Sequence, residues 1–157
     1  MLGRSYENEN CSAARALEVV GERWSLLILR DAIFRGMTRF SEFERSLGLA
    51  TNVLASRLDR FVAEGLMELV PASDHARPLE YRLTAKGLDF EGVIVALTAW
   101  GDRWSAPDGP PIRYHHASCG DSVTIDLRCS SCDRVVRSGD ILAAAGPGNR
   151  GGKGARP

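Results

Sequence analysis

The chain has 157 residues, of which 44% are hydrophobic, and its 20 basic and 20 acidic side chains leave no net charge. This length supports one compact domain with an appendage, and no apolar run reaches the roughly 18 residues needed to span a bilayer. The N-terminus has no basic segment followed by an apolar one, so we expect no signal peptide, a cytoplasmic protein, and four cysteines that are thiols or metal ligands rather than disulfides.

Three helices are predicted first along the chain. Residues 11–20 have helical spacing, and residues 23–34 form the most apolar segment, which predicts a buried helix ending at Gly36. A short third helix is predicted to begin at Ser41, which would form a capping box with Glu44, and to end at Gly48.

A fourth helix is predicted over "TNVLASRLDRFVAEGL", with Thr51 as its N-cap and Gly65 at its end. Helical spacing divides its side chains between two faces. The apolar face consists of Leu54, Leu58, Phe61 and Val62, and the opposite face of Asn52, Ser56, Asp59, Arg60 and Ala63. The apolar face is expected to contact a core.

The pattern then alternates with a period of two residues in "LMELVPA" and "LEYRLT", which predicts a two-stranded hairpin. Its tip is basic, with His75 and Arg77. Thr84 is expected to cap one last long helix that runs to Trp104.

We predict a first domain over residues 1–104, a linker over 105–113, a small Cys/His hairpin segment over 114–137 and a disordered tail over 138–157. Within the third segment, His116 and Cys119 form an H-x-x-C motif, and Cys129 and Cys132 form a C-x-x-C motif. These four residues are candidate ligands of a structural zinc ion, with His115 as an alternative to His116. A metal-free hairpin and a redox-active thiol pair remain open alternatives.

This order of elements predicts a winged helix-turn-helix, a mainly α fold with a small β-hairpin wing (α+β), followed by the Cys/His hairpin. In this fold the second helix of the pair enters the major groove of double-stranded DNA and its first residues reach base edges. Between residues 23 and 60, seven arginines stand against four acidic residues, so this part can face phosphates although the whole chain is neutral. The DNA-contact candidates are Arg39, Thr51, Asn52, Ser56, Arg57, Arg60, His75 and Arg77. A solvated helix face is the alternative, and Arg57 borders the buried face and is equally suited to bracing the domain.

Several segments in this order resemble the HxlR-type winged helix-turn-helix transcriptional regulators of bacteria. They are "CSAARALEVVGERWSLLILR", "RFSEF", "VLASRL", "EGL", "YRLTAKG" and "WGDRW", between Cys11 and Trp104. The resemblance implies a nucleoid-associated repressor or activator that is not an enzyme, and a homodimer that binds a roughly palindromic operator. The family usually has Ser or Thr where Ala50 stands and a long polar residue at Asn52, so no operator sequence is transferred.

The resemblance also implies that the first and last helices form the dimer interface. The corresponding residues are Leu17, Val93, Leu97, Trp100 and Trp104. The three tryptophans, Trp24, Trp100 and Trp104, suit core or dimer packing, with a ligand pocket at the dimer interface as the alternative.

Cys11 lies where some members of the family sense oxidants or electrophiles, and an inert packing thiol is the alternative. A thiol–disulfide enzyme is disfavoured because no strand–helix unit of the thioredoxin type surrounds the C-x-x-C motif. A winged-helix module that binds proteins but not DNA is a third class. The partners we expect are DNA, a second copy of the chain and a small-molecule or electrophile effector, without a membrane.

Overall fold

The computed structural model describes residues 6, 10–72 and 79–149, and in these ranges it has six helices and one two-stranded sheet. The helices are α1 (Ser12–Val20), α2 (Ser25–Arg35), α3 (Phe40–Leu47), α4 (Thr51–Ala63), α5 (Ala85–Leu88) and α6 (Phe90–Ser105), and the strands are β1 (Met67–Pro71) and β2 (Leu79–Leu83). No helix in the described ranges is long and apolar enough to cross a membrane. The mainly α architecture with a hairpin confirms the predicted fold class.

The chain divides into two compact units. One unit is Ala13–Ile94, which holds the helices α2 to α5 and the hairpin. The other consists of the described residues of Met1–Ser12 and Val95–Pro157, including most of α6.

The core of the first unit forms where the apolar faces of α2, α3 and α4 meet the start of β1. Its fully buried hydrophobic side chains are Ile28, Leu29, Phe43, Leu54, Leu58, Phe61, Leu66 and Met67. Each buried side chain of this size stabilises the fold by about 1.5–3 kcal/mol. Leu54, Leu58 and Phe61 of the predicted apolar face of α4 belong to this set, and the predicted polar face is exposed. The prediction of an amphipathic helix is therefore confirmed.

The capping box predicted from Ser41 and Glu44 is wrong. Helix α3 begins one residue earlier, with Arg39 as N-cap, and the Glu42 side chain accepts hydrogen bonds from the backbone N–H groups of Thr38 and Arg39, both at 2.9 Å. These bonds, first the one from Arg39, lower the pKa of the Glu42 carboxyl because they favour its charged form. The acid that caps the helix is thus the one that can reach back to free N–H groups.

The N-cap predicted at Thr51 is also wrong. Ala50 occupies that position with an extended backbone and no capping side chain, and Thr51 is the first helical residue. The Thr51 hydroxyl instead donates to Oε1 of Glu44 at 2.8 Å. Glu44 and Thr51, which were predicted to cap separate helices, therefore join α3 to the start of α4.

The predicted hairpin is confirmed, with β1 and β2 antiparallel and Met67 paired with Leu83. Thr84 was predicted to cap one long helix, but it caps the short α5 by accepting from the N–H of Gly87 at 3.2 Å, and α6 begins separately at Phe90. A Cβ at Gly87 would collide with the Leu66 carbonyl oxygen. The helix is interrupted where α5 packs this closely against the residue that precedes β1.

Candidate nucleic-acid interface

Helices α3 and α4 are joined by a tight link of three residues. Gly48 ends α3 in the left-handed conformation, with φ of 61°, and its N–H donates to the Glu44 carbonyl at 2.9 Å. Leu49 is buried and anchors the link, and Ala50 turns the backbone into α4. Left-handed backbone favours glycine because it has no Cβ to clash, so this residue sets the turn between the two helices.

A buried carboxylate also joins the helices that precede α4. Asp31 on α2 is fully buried, and its Oδ2 accepts from the Ser46 hydroxyl on α3 at 2.6 Å. Its Oδ1 accepts from the Arg30 guanidinium at 2.7–2.8 Å, and Arg35 lies 3.6 Å away. A buried charge is tolerated only with such partners, so this network positions α3 on α2. The sequence reasoning missed it, although an aspartate in the most apolar helix was a usable signal.

The exposed start of α4 carries the side chains that can read a base. Asn52 and Ser56 lie one turn apart on the same face, and both are exposed. Within the described ranges neither side chain has a hydrogen-bond partner. An amide pairs with adenine through two hydrogen bonds and a hydroxyl bonds to several base edges, so both groups are chemically suited to a groove.

The two arginines further along α4 are both in ion pairs. Arg57 lies 3.2 Å from Oε2 of Glu22, and its side chain is only 25% exposed. Its Nε is buried and has no hydrogen-bond partner among the residues that the structure describes. Arg60 pairs with Glu64 at 3.0 Å within the same helix and is more exposed. Arg57 therefore connects α4 to the residues after α1, whereas Arg60 remains accessible to a phosphate.

Arg39 stands at the start of α3, exposed but 3.3 Å from Oε1 of Glu80 on β2. Glu80 also contacts Arg82 at 3.4 Å, so two guanidinium groups lie beside this residue of β2. The wing candidates His75 and Arg77 lie outside the described residues.

The candidate interface residues are exposed hydrophobic side chains. Leu17 on α1 and Val93, Leu97, Trp100 and Trp104 on α6 are each about half exposed or more. The two tryptophans therefore do not pack in the core. On α6 the spacings of three and four residues place Leu97, Trp100 and Trp104 on one face.

All four cysteines are free thiols. Cys11 is exposed and immediately precedes α1. The other three belong to two turns of the second unit, where His116 Nδ1 lies 3.3 Å from Cys119 Sγ. The backbone N–H of Cys132, then that of Ser131, lowers the pKa of the Cys129 thiol by stabilising its thiolate. The described residues contain no group of three or more potential ligands close enough to hold a metal ion together, so the structure forms two pairs.

The α3–α4 pair followed by a two-stranded hairpin defines a winged helix-turn-helix, the fold of a class of DNA-binding transcriptional regulators. The chain belongs to the HxlR-like helix-turn-helix family, whose model matches residues 19–109. It is a transcriptional regulator with a helix-turn-helix DNA-binding fold and not an enzyme.

Similar proteins carry the same description. An uncharacterised HTH-type transcriptional regulator of Mycobacterium tuberculosis is 43% identical over 148 residues, which are 94% of this chain and 92% of that protein. The crystal structure of PA1607, described as a candidate transcription factor, has a TM-score of 0.77 and 40% identity and covers 85% of this chain and 94% of its own. The structure of PA1374 from Pseudomonas aeruginosa, described in the same words, has a TM-score of 0.60 and 40% identity. It covers 87% of this chain and 93% of its own.

Proposed function

We propose that the protein is a sequence-specific transcriptional regulator that acts in the cytoplasm as a homodimer on a roughly palindromic operator. The observation that carries the proposal is the exposed pair Asn52 and Ser56, which have no hydrogen-bond partner among the described residues, at the start of a helix whose other face buries Leu54, Leu58 and Phe61. In a winged helix-turn-helix this is the part of the chain that enters the major groove.

Specific binding requires that the side chains of Asn52 and Ser56 be held in place, since a mobile side chain loses conformational entropy when it binds a base. Two connections do this. Glu44 holds the first residue of α4 through the Thr51 hydroxyl, and Asp31 holds α3 through Ser46. Arg60 and the wing arginine Arg77 then serve as phosphate anchors, which fix the register without reading sequence.

Homodimerisation supplies the second half-site. The exposed apolar face of α6, with Leu97, Trp100 and Trp104, is the kind of surface that monomeric proteins rarely leave open. Val93 on the same helix and Leu17 on α1 add exposed apolar area. In the dimer the two α4 helices would stand about 34–36 Å apart and reach successive major grooves.

The test is DNA binding by the full-length protein, measured by fluorescence anisotropy at several salt concentrations. The probes are the intergenic DNA of the protein's own locus and a random duplex of equal length. We expect tighter binding to the locus DNA, and Ser56→Ala should reduce this preference. Ser138→Ala, which removes an exposed hydroxyl outside α4, is the matched control and should have no effect. Equal weak binding to both duplexes would instead support a winged-helix module that binds proteins.

A second candidate function is an oxidant- or electrophile-sensing regulator, which the exposed free thiol of Cys11 favours. Thiol chemistry there would act at the start of a dimer helix. On this function, diamide releases DNA from the wild type but not from Cys11→Ser in a gel shift. Release that persists in Cys11→Ser and vanishes in Cys129→Ser/Cys132→Ser would assign sensing to the C-terminal thiols. No release in any of the three proteins would rule out thiol sensing at either position.

A further inference from the structure

The two C-terminal turns have the same backbone structure. Each position of the first turn, which begins at Tyr114, corresponds to a position thirteen residues later in the second, which begins at Leu127. Three backbone hydrogen bonds recur in both. In the first turn, His116 N donates to Asp121 O (2.8 Å), Gly120 N to His116 O (2.8 Å) and Val123 N to Tyr114 O (2.9 Å). In the second turn, the corresponding bonds are Cys129 N to Arg134 O (3.0 Å), Asp133 N to Cys129 O (2.9 Å) and Val136 N to Leu127 O (2.7 Å). The bridges His115 with Ser122 and Arg128 with Val135 follow the same correspondence.

The backbone conformation matches at the most restrictive position as well. Gly120 and Asp133 correspond to each other, and both have positive φ, of 77° and 54°. Asp133 is the only non-glycine residue with positive φ among the described residues. Asp accepts this conformation at a cost, so the second turn keeps the shape of the first although its sequence lacks the glycine.

This correspondence identifies which side chains are equivalent. His116 matches Cys129, and Cys119 matches Cys132, so each turn presents one pair of nitrogen or sulfur ligands at the same two positions. His115 matches Arg128 instead, and its Nδ1 lies 2.9 Å from the Gly120 carbonyl oxygen inside its own turn. The structure thus distinguishes two histidines that the sequence left equivalent.

The first ligand pair also has a spacing suited to a tetrahedral metal ion. Zinc–nitrogen and zinc–sulfur bonds of the usual lengths place the two ligand atoms about 3.6 Å apart. His116 Nδ1 and Cys119 Sγ are 3.3 Å apart. In the second turn, Cys129 and Cys132 occupy the corresponding positions.

We propose that His116, Cys119, Cys129 and Cys132 bind one zinc ion as a Cys3His site, formed when the two turns close on each other. The described residues contain no group of three or more potential ligands within reach of one metal ion, so the proposal requires the two pairs to approach each other on binding. Val123, Ile125 and Leu127 alternate along the chain from the end of the first turn to the start of the second and are all exposed.

The test uses the full-length, fully reduced protein and Co²⁺ as a spectroscopic probe, followed by displacement with Zn²⁺. Tetrahedral thiolate coordination should produce intense visible d–d bands and ultraviolet sulfur-to-cobalt bands, saturating at one ion per chain. His116→Ala, Cys119→Ser and Cys129→Ser should each weaken binding by more than about 100-fold, since even the loss of an outer-shell partner costs 10- to 100-fold. His115→Ala and Cys11→Ser are the matched controls and should bind as the wild type does.

Three results would overturn the proposal. They are the absence of tetrahedral Co²⁺ bands in the reduced wild type, binding that survives Cys119→Ser, and loss of binding in His115→Ala but not in His116→Ala. Circular dichroism of each variant separates loss of ligand from loss of fold, because these residues lie in exposed turns and the helical signal should persist. The outcome is independent of DNA binding, which is measured separately.

Discussion

The strongest test of the dimer model is the replacement Trp100→Ala on α6. Trp100 and Trp104 are 61% and 65% exposed in the single chain. Full burial of an aromatic side chain covers about 150–250 Å², so an interface could still remove about 90–150 Å² from water at Trp100. At about 25 cal/mol per Å² this area contributes about 2–4 kcal/mol, and a two-fold dimer loses it twice.

Incomplete burial and the cost of ordering the interface reduce this value. We therefore expect the dimer dissociation constant of Trp100→Ala to rise by at least about 100-fold, equivalent to about 2.7 kcal/mol. Sedimentation velocity over a dilution series measures the constant directly. The monomer fold should survive, because most of the Trp100 side chain contacts solvent, and thermal unfolding at a fixed low concentration checks this.

The matched control is Leu142→Ala, which removes a hydrophobic side chain that is 91% exposed and outside α6. It should leave the dimer unchanged. An unchanged dissociation constant in Trp100→Ala would refute the assignment of this face. A wild-type protein that is monomeric at micromolar concentration and yet binds its operator tightly would refute the dimer itself.

Three further predictions concern the DNA-binding unit. Asn52→Ala should weaken binding to the specific operator by about 1–3 kcal/mol because it deletes a base-edge hydrogen bond. Arg77→Ala should instead weaken binding to all duplexes and reduce the salt dependence of the binding constant by about one unit of slope. Equal losses of affinity for specific and random DNA in both variants would contradict these roles. Arg57→Ala should lower the free energy of unfolding in urea by about 1 kcal/mol through lost packing and the lost Glu22 pair, and a purely DNA-facing arginine would leave it unchanged. Because the folded pKa of the Glu42 carboxyl is lowered from its ordinary value of 4.5, its charge stabilises the fold above that pH. Glu42→Gln should be less stable than the wild type by about 0.3–1 kcal/mol at pH 7. The difference should shrink as the pH falls below 4.5 and disappear below the lowered folded pKa, as followed by urea unfolding across this range.

The features that the sequence predicted correctly are local ones. The spacing of Leu54, Leu58 and Phe61 determines which face of α4 is buried, because a helix places every third or fourth residue on one side. Gly36 and Gly48 end α2 and α3 as expected, since both adopt the left-handed backbone that glycine permits. The alternation of apolar and polar residues on both sides of the connecting loop likewise predicted the two strands of the hairpin.

The tertiary structure decided the features that depend on which groups meet across the chain. The spacing from Ser41 predicted Glu44 as the capping acid, and only the path of the chain before α3 shows that Glu42 reaches the free N–H groups while Glu44 bonds to Thr51. Gly87 closely approaches the Leu66 carbonyl, and the two residues are separated in sequence by the whole hairpin. Helical periodicity, which depends on neighbouring residues, therefore could not predict the break between α5 and α6.

The same limit applies to charged and ligating side chains. Arg57 has the spacing of a DNA contact, but its partner Glu22 lies 35 positions earlier in the chain and is visible only in the fold. His115 and His116 are adjacent and chemically identical, and only the backbone hydrogen bonds of the turn distinguish them. Sequence periodicity determined the elements and their buried faces because these depend on neighbours within one or two turns, whereas partners brought together from distant segments were decided by the packing of those elements.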